Sequence, residues 1–248
     1  MTIVTIELTT VQPERKVAMT AEIGRRAFLS GAMCSAGAVA VAAMLGAPAA
    51  GDEAPASAEP VTPADALERL RAGNGRFAAG QAEAPQRDLA RLRATAPLQK
   101  PFAAVLGCAD SRVPVELIYD QGFGDIFVVR VAGNVAASAE IASLEYATRV
   151  LGSIALVVLG HGNCGAVKAA LQGAEVPGQI STLYHLIAPA LRRKTMTLDE
   201  AIAANVRYQA RKLAKGSTVL SRLIAQRKLT LVGGVFDLQS GMVKPIEL

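Results

Sequence analysis

The stretch Phe102-Ala-Ala-Val-Leu106-Gly-Cys108-Ala-Asp110-Ser-Arg112 decides the fold, because an apolar run closes there on a cysteine and opens into a polar loop. Further along, Ile154-Ala-Leu-Val-Val-Leu159-Gly-His161-Gly-Asn-Cys164-Gly165 repeats the pattern. Residues 102–106, 126–131, 154–159 and 229–236 are short continuous apolar runs bounded by Gly, Pro or polar residues, as expected of strands buried on both faces. Helical patterns fill the intervals at 138–151, 166–171 and 180–224, the last with Thr197-Leu-Asp-Glu200 as a capping box. This alternation predicts an α/β fold, a mostly parallel sheet flanked by helices. Residues 241–247, after the turn Gln239-Ser240-Gly241, predict an antiparallel edge strand at the C-terminus, where Pro245 is tolerated.

Before the first strand, Thr62-Pro63 is an N-cap with proline at the first helical position, and Leu67, Leu70 and Phe77 recur at helical spacing until Gly80. A second short helix is expected over 88–96, ended by Pro97. Of the 248 residues 51% are apolar and 4% aromatic, with no Trp, so the core is built from Ala, Val, Leu and Ile. A single catalytic domain over 62–248 is the natural count. The net charge is +5, but Lys and Arg are scattered. The densest basic run, Arg192-Arg193-Lys194, lacks the aromatic neighbours and basic stripe of a nucleic-acid surface, so no nucleic-acid partner is expected.

The chain holds only three cysteines and two histidines. Two cysteines and one histidine, Cys108, Cys164 and His161, fall at the carboxyl ends of apolar runs, where α/β sheets gather their ligands. Two thiolates and an imidazole select zinc, and three protein ligands leave a fourth position for water or a carboxylate. Taken singly, each residue also reads as a small buried hydrophobe or an ordinary histidine; their joint placement is what points to metal.

Cys108-Ala-Asp110-Ser-Arg112 together with His161-Gly-Asn-Cys164-Gly resembles the zinc signature of the β-class carbonic anhydrases. The likeness continues through Asp125-Ile-Phe-Val-Val-Arg130-Val-Ala-Gly133-Asn134, Ser143-Leu-Glu145-Tyr146-Ala147 and Asn74-Gly-Arg76-Phe77, covering the chain from about Pro63 to its end. It implies reversible hydration of carbon dioxide to bicarbonate and a proton by zinc-bound hydroxide, with one Zn2+ per subunit. Cys108, His161 and Cys164 would be ligands. Asp110 would accept a hydrogen bond from the hydroxide while paired with Arg112, or would itself become the fourth ligand when Arg112 lets go. Gly133 and Asn134 match a segment lining the substrate pocket, and Gly165 a glycine whose amide faces bicarbonate at a helix N-terminus; a turn glycine and a helix-start residue are the alternatives on local grounds. Gln121 falls one place from a family substrate contact and is given no such role, and His185 reads as a surface residue. The resemblance also implies a homodimer or tetramer in which the arm 62–80 lays Leu67, Leu70 and Phe77 on a second subunit. A structural zinc site, or a related hydrolase acting on carbonyl sulfide or carbon disulfide, are the competing functions.

The N-terminus is of another kind. Gly24-Arg25-Arg26-Ala27-Phe28-Leu29 precedes an uncharged stretch reaching Ala47-Pro48-Ala49, which resembles a twin-arginine export signal over 1–50 with an A-x-A-like cleavage site. A periplasmic or otherwise exported protein, carried by the Tat translocase already folded and metal-loaded, is therefore expected. An uncleaved membrane anchor is the alternative reading of the same stretch. Cys34 falls in this segment, and 51–61, rich in Ala, Pro and Glu, reads as a linker.

Overall fold

The computed structural model describes residues 62–191 and 195–248. The expected export segment 1–50, Cys34, the expected linker 51–61 and the run Arg192-Arg193-Lys194 lie outside the described residues. Eight α-helices are described: α1 (Pro63–Ala78), α2 (Leu89–Thr95), α3 (Val115–Ile118), α4 (Ser138–Glu145), α5 (Gly165–Gln172), α6 (Ile180–Ile187), α7 (Leu198–Gly216) and α8 (Thr218–Ala225). The strands β1 (Ala103–Gly107), β2 (Ile126–Arg130), β3 (Ala155–His161), β4 (Thr230–Phe236) and β5 (Val243–Ile246) form one sheet in the order β2-β1-β3-β4-β5. β1 pairs in parallel with β2 and β3, β3 pairs in parallel with β4, and β5 alone runs antiparallel, with Pro245 opposite Gly234 on the outer edge. This is the mostly parallel α/β sheet with an antiparallel C-terminal edge that the alternating pattern predicts.

Strand residues alternate between two apolar layers, as the period of two requires. Ala103 and Val105 pack with Ala66 and Leu70 of α1 and Val115 and Ile118 of α3. Ala104 and Leu106 pack on the opposite face with Leu144 of α4, Val206, Ala210 and Leu213 of α7 and Leu220 of α8. A smaller cluster, including Val135, Val167, Ile187 and Ile202, surrounds Cys108 and Cys164.

Capping chemistry sets several helix starts. The Thr62 hydroxyl accepts from the Asp65 amide at 3.2 Å while the Asp65 carboxylate accepts from the Thr62 amide at 2.9 Å. Thr197 and Glu200 do the same for α7. The helix expected over 138–151 changes to a π turn at Tyr146–Val150, where the Thr148 hydroxyl donates to the Leu144 carbonyl at 2.8 Å and competes for a helical acceptor. The long helical region expected over 180–224 divides at Pro189 and again at Ser217, whose hydroxyl caps α8 by accepting from the Leu220 amide.

The arm departs from the expectation. Leu70 is only 2% exposed within the single chain, and Leu67 and Phe77 pack on the same cluster, with the Phe77 ring 6.3 Å from that of Phe236. Helical spacing shows that a face is apolar without saying which surface covers it, and here the chain's own sheet and α3 do. Polar contacts fix that choice. Arg76 Nε lies 2.8 Å from the fully buried Asp120 carboxylate, which Arg87 also reaches at 3.1 Å. Gly73 makes the crossing possible, since a Cβ there would lie 1.9 Å from the Tyr119 carbonyl oxygen. Asn74 Nδ2 donates to the carbonyls of Ile118 at 3.1 Å and Gly241 at 2.9 Å, and its Oδ1 accepts from the Val243 amide at 2.8 Å.

Asn74→Ala strands those three backbone groups. We expect it to lower unfolding stability by about 1–3 kcal/mol, read as a fall in the urea midpoint. An unchanged midpoint would show that the α1 anchor carries no weight.

Candidate metal centre

Parallel pairing sets Gly107 of β1 beside Leu159 of β3, so the chain leaves both strands at the same end of the sheet. Cys108 follows β1 directly, His161 is the last residue of β3, and Cys164 is the N-cap of α5. Asn163, with φ +52°, turns the chain tightly between the second and third of these, and the Gly162 amide donates to the Phe236 carbonyl at 2.9 Å. The potential ligand atoms of Cys108, His161 and Cys164 all lie within 4.8 Å of one another, and all three residues are buried.

His161 Nδ1 lies 2.9 Å from the Gly162 carbonyl, which can only accept, so Nδ1 carries the proton. Nε2 then offers a lone pair, and it is buried with no hydrogen-bond partner among the described residues. An orphaned acceptor beside two buried thiols fits a cation, and two sulfurs with one nitrogen fit tetrahedral zinc with one position open. The thiols are strongly linked. A hydrogen bond from Cys164 drives the Cys108 thiol well below its ordinary range, aided by the Gly133 amide at 3.3 Å. The same bond, with burial, drives Cys164 the other way.

Asp110 and Arg112 form the expected fork. Arg112 Nε donates to Asp110 Oδ1 at 2.9 Å, and Nη2 to Oδ2 at 2.8 Å. These bonds hold the carboxyl well below the usual carboxylate range. Asp110 Oδ2 stands 3.8 Å from His161 Nε2, which places the carboxylate at the centre's edge. A cleft of about 670 Å³ opens beside Arg112, bordered by Phe77, Gly162, Asn163, Phe236 and Leu238.

The remaining expected residues are placed as follows. Gly133 has φ +75°, and a Cβ would come within 2.7 Å of Ile187 Cδ1; its amide is already used on Cys108. Asn134, φ +43°, is buried with Nδ2 unpartnered. Gly165 opens α5 next to Cys164. His185 is exposed on α6, and buried Gln121 bonds to Arg69 and the Tyr119 carbonyl, so neither approaches the centre through these contacts. Sequence reasoning gave no role to Arg130, which donates to the Cys108 carbonyl at 3.1 Å and the Asp110 carbonyl at 2.7 Å. Its signal is a lone cation closing an apolar strand at the ligand end.

The family model described as carbonic anhydrase matches residues 103–243. The chain is 42% identical over 151 residues to carbonic anhydrase 2 of Mycobacterium tuberculosis, a match covering 58% of this chain and 73% of that protein. Among solved structures it is similar to the β-carbonic anhydrase CafA of Aspergillus fumigatus, with TM-score 0.59 and 27% identity, covering 73% of this chain and 90% of that one. A tetrameric β-carbonic anhydrase from Sordaria macrospora gives TM-score 0.58 at 24% identity, over 73% of this chain and 97% of the other.

Because zinc is held by thiolates and Cys164 is raised by its bond to Cys108 and by burial, zinc uptake by the metal-free chain is expected to expel protons, so apparent affinity rises with pH near neutrality. Chelator competition across about two pH units measures the slope. An affinity that stays flat across that range would refute thiolate ligation.

Proposed function

The chain belongs to the carbonic anhydrase family, with the β-class fold, and from that premise we propose that it binds one zinc ion per subunit through Cys108, His161 and Cys164 and hydrates carbon dioxide reversibly to bicarbonate and a proton. The observation that carries the zinc assignment is the buried trio within 4.8 Å, its imidazole Nε2 left without a partner. Zinc supplies Lewis acidity, which brings the ionisation of water toward neutral pH.

The chain's own residues do the rest. Arg112 keeps Asp110 ionised and aimed, since a planar fork fixes a carboxylate in a way a lysine cannot. Asp110 accepts a hydrogen bond from the attacking water and orients it toward carbon. Arg130 holds the carbonyls on either side of that turn, so ligand and carboxylate keep their spacing. For Asp110 to become a fourth ligand, its bonds to Arg112 have to break. Among the residues expected at the substrate, Asn134 offers a free buried donor and Gly165 a backbone amide at the start of α5 for the oxygens of bicarbonate, while Gly133 shapes the wall and supports Cys108.

Assembly and export complete the reading. A homodimer or tetramer is supported by the tetrameric Sordaria structure and by exposed Leu89, Leu117 and Phe123. Arg25-Arg26 and the uncharged stretch after them support a Tat signal over 1–50, followed by the linker 51–61 and the catalytic domain 62–248, with a periplasmic destination.

Stopped-flow hydration of carbon dioxide by the zinc-loaded protein tests the function, with carbonyl sulfide as comparison; faster turnover of carbonyl sulfide would reassign it, and turnover of neither would leave a structural metal. Arg112→Lys is expected to lower kcat/KM about 10- to 100-fold with zinc content unchanged. Equal activity would remove Arg112 from the mechanism. Replacing Arg25 and Arg26 together by Lys is expected to leave precursor in the cytoplasm, measured by fractionation; normal periplasmic accumulation would rule out the Tat route.

A further inference from the structure

Asn205 and Gln209 lie one turn apart on α7, on a face otherwise made of Ile202, Val206, Ala210 and Leu213, and both are completely buried. An amide in such a place is costly unless it is paired. Here the pairing is directed. Asn205 Nδ2 donates to the Gly133 carbonyl at 2.8 Å, and Gln209 Oε1 accepts from the Ala136 amide at 3.0 Å. Gln209 Nε2 donates both to Asn205 Oδ1 and to the Leu186 carbonyl, each at 3.0 Å, so each amide steadies the other and α6 is tied in.

The segment so gripped keeps a single turn bond of its own, from the Asn134 amide to the Val131 carbonyl at 2.9 Å, while Gly133 and Asn134 both stand at positive φ, +75° and +43°. Its hold matters because the Gly133 amide lies 3.3 Å from Cys108 Sγ. We propose that Asn205 and Gln209 are positioning residues for the metal centre: they clamp residues 133–136 from behind so that the Gly133 amide stays on the Cys108 sulfur. This rests on the reading of Cys108, His161 and Cys164 as a metal centre. An amide donating to a ligating thiolate draws charge from the sulfur, and such outer bonds tune both the affinity and the electronic character of the bound metal.

The test uses the full chain loaded with cobalt(II), whose thiolate charge-transfer absorption reports the charge on sulfur, together with zinc affinity by chelator competition. Asn205→Leu removes both bonds at similar volume, and Asn205→Asp keeps the acceptor for Gln209 but turns an oxygen on the Gly133 carbonyl. Leu213→Ala, on the same helix but away from the segment, is the control for loss of stability. We expect both Asn205 variants to move the charge-transfer band to longer wavelength and to weaken zinc about tenfold, a typical loss for an outer contact. Leu213→Ala should lower only the unfolding midpoint. Folded Asn205→Asp with an unchanged band and affinity would overturn the positioning role, as would a shift of equal size in Leu213→Ala. Failure of both Asn205 variants to fold would also overturn it, since the clamp would then be structural alone. A parent chain with no thiolate band overturns the metal-centre reading itself, which separates the two failures.

Discussion

Everything at the centre depends on β1 and β3 lying side by side in parallel, with Gly107 level with Leu159. A parallel pair sends both chains out of the same end of the sheet, which brings a cysteine and a histidine far apart in sequence to within ligand distance. Shift that register by one residue and every side chain of β3 changes face, so His161 would leave the ligand side altogether. The register is itself fixed by two apolar layers that accept only one set of faces, Val157 and Leu159 toward α1 and α3, Leu156 and Val158 toward α7. Packing of ordinary aliphatic side chains thus sets the geometry of the candidate metal centre.

Around that site polar side chains are directed at backbone groups. Arg130 bonds the carbonyls of Cys108 and Asp110, and Asn205 and Gln209 bond the backbone at Gly133 and Ala136. Each meets backbone groups that a loop cannot satisfy for itself. The opposite shifts of the two thiols follow from their crowding, since two adjacent buried thiolates without a cation would repel each other.

Much of this was readable in the sequence. Apolar runs bounded by Gly and polar residues located the parallel strands within a residue or two, and the turn before Met242 announced the antiparallel edge. The cysteines and histidine were legible because rare residues stood at strand ends, and the Asp110–Arg112 fork because a spacing of two lets a long cation fold back. What stayed hidden was three-dimensional. Helical spacing made α1 apolar on one face but did not name the surface beneath it, and the buried Asp120 that draws Arg76 inward lies far along the chain. Asn205 and Gln209 look like ordinary helix residues until the backbone they serve is seen, and the π turn at Tyr146–Val150 falls where the Thr148 hydroxyl donates to the Leu144 carbonyl.

Asn74 has a further consequence. It joins the first described helix to Gly241 and Val243, 167 and 169 residues away. Contacts of such long sequence separation form late, since the intervening chain must first be ordered. Until residues 241–243 are in place, the Asn74 amide on the inner face of α1 lacks two of its partners. Loosening β5 and the turn before it therefore withdraws two of the three backbone partners of Asn74, so the edge strand and the inner face of α1 lose their hold together.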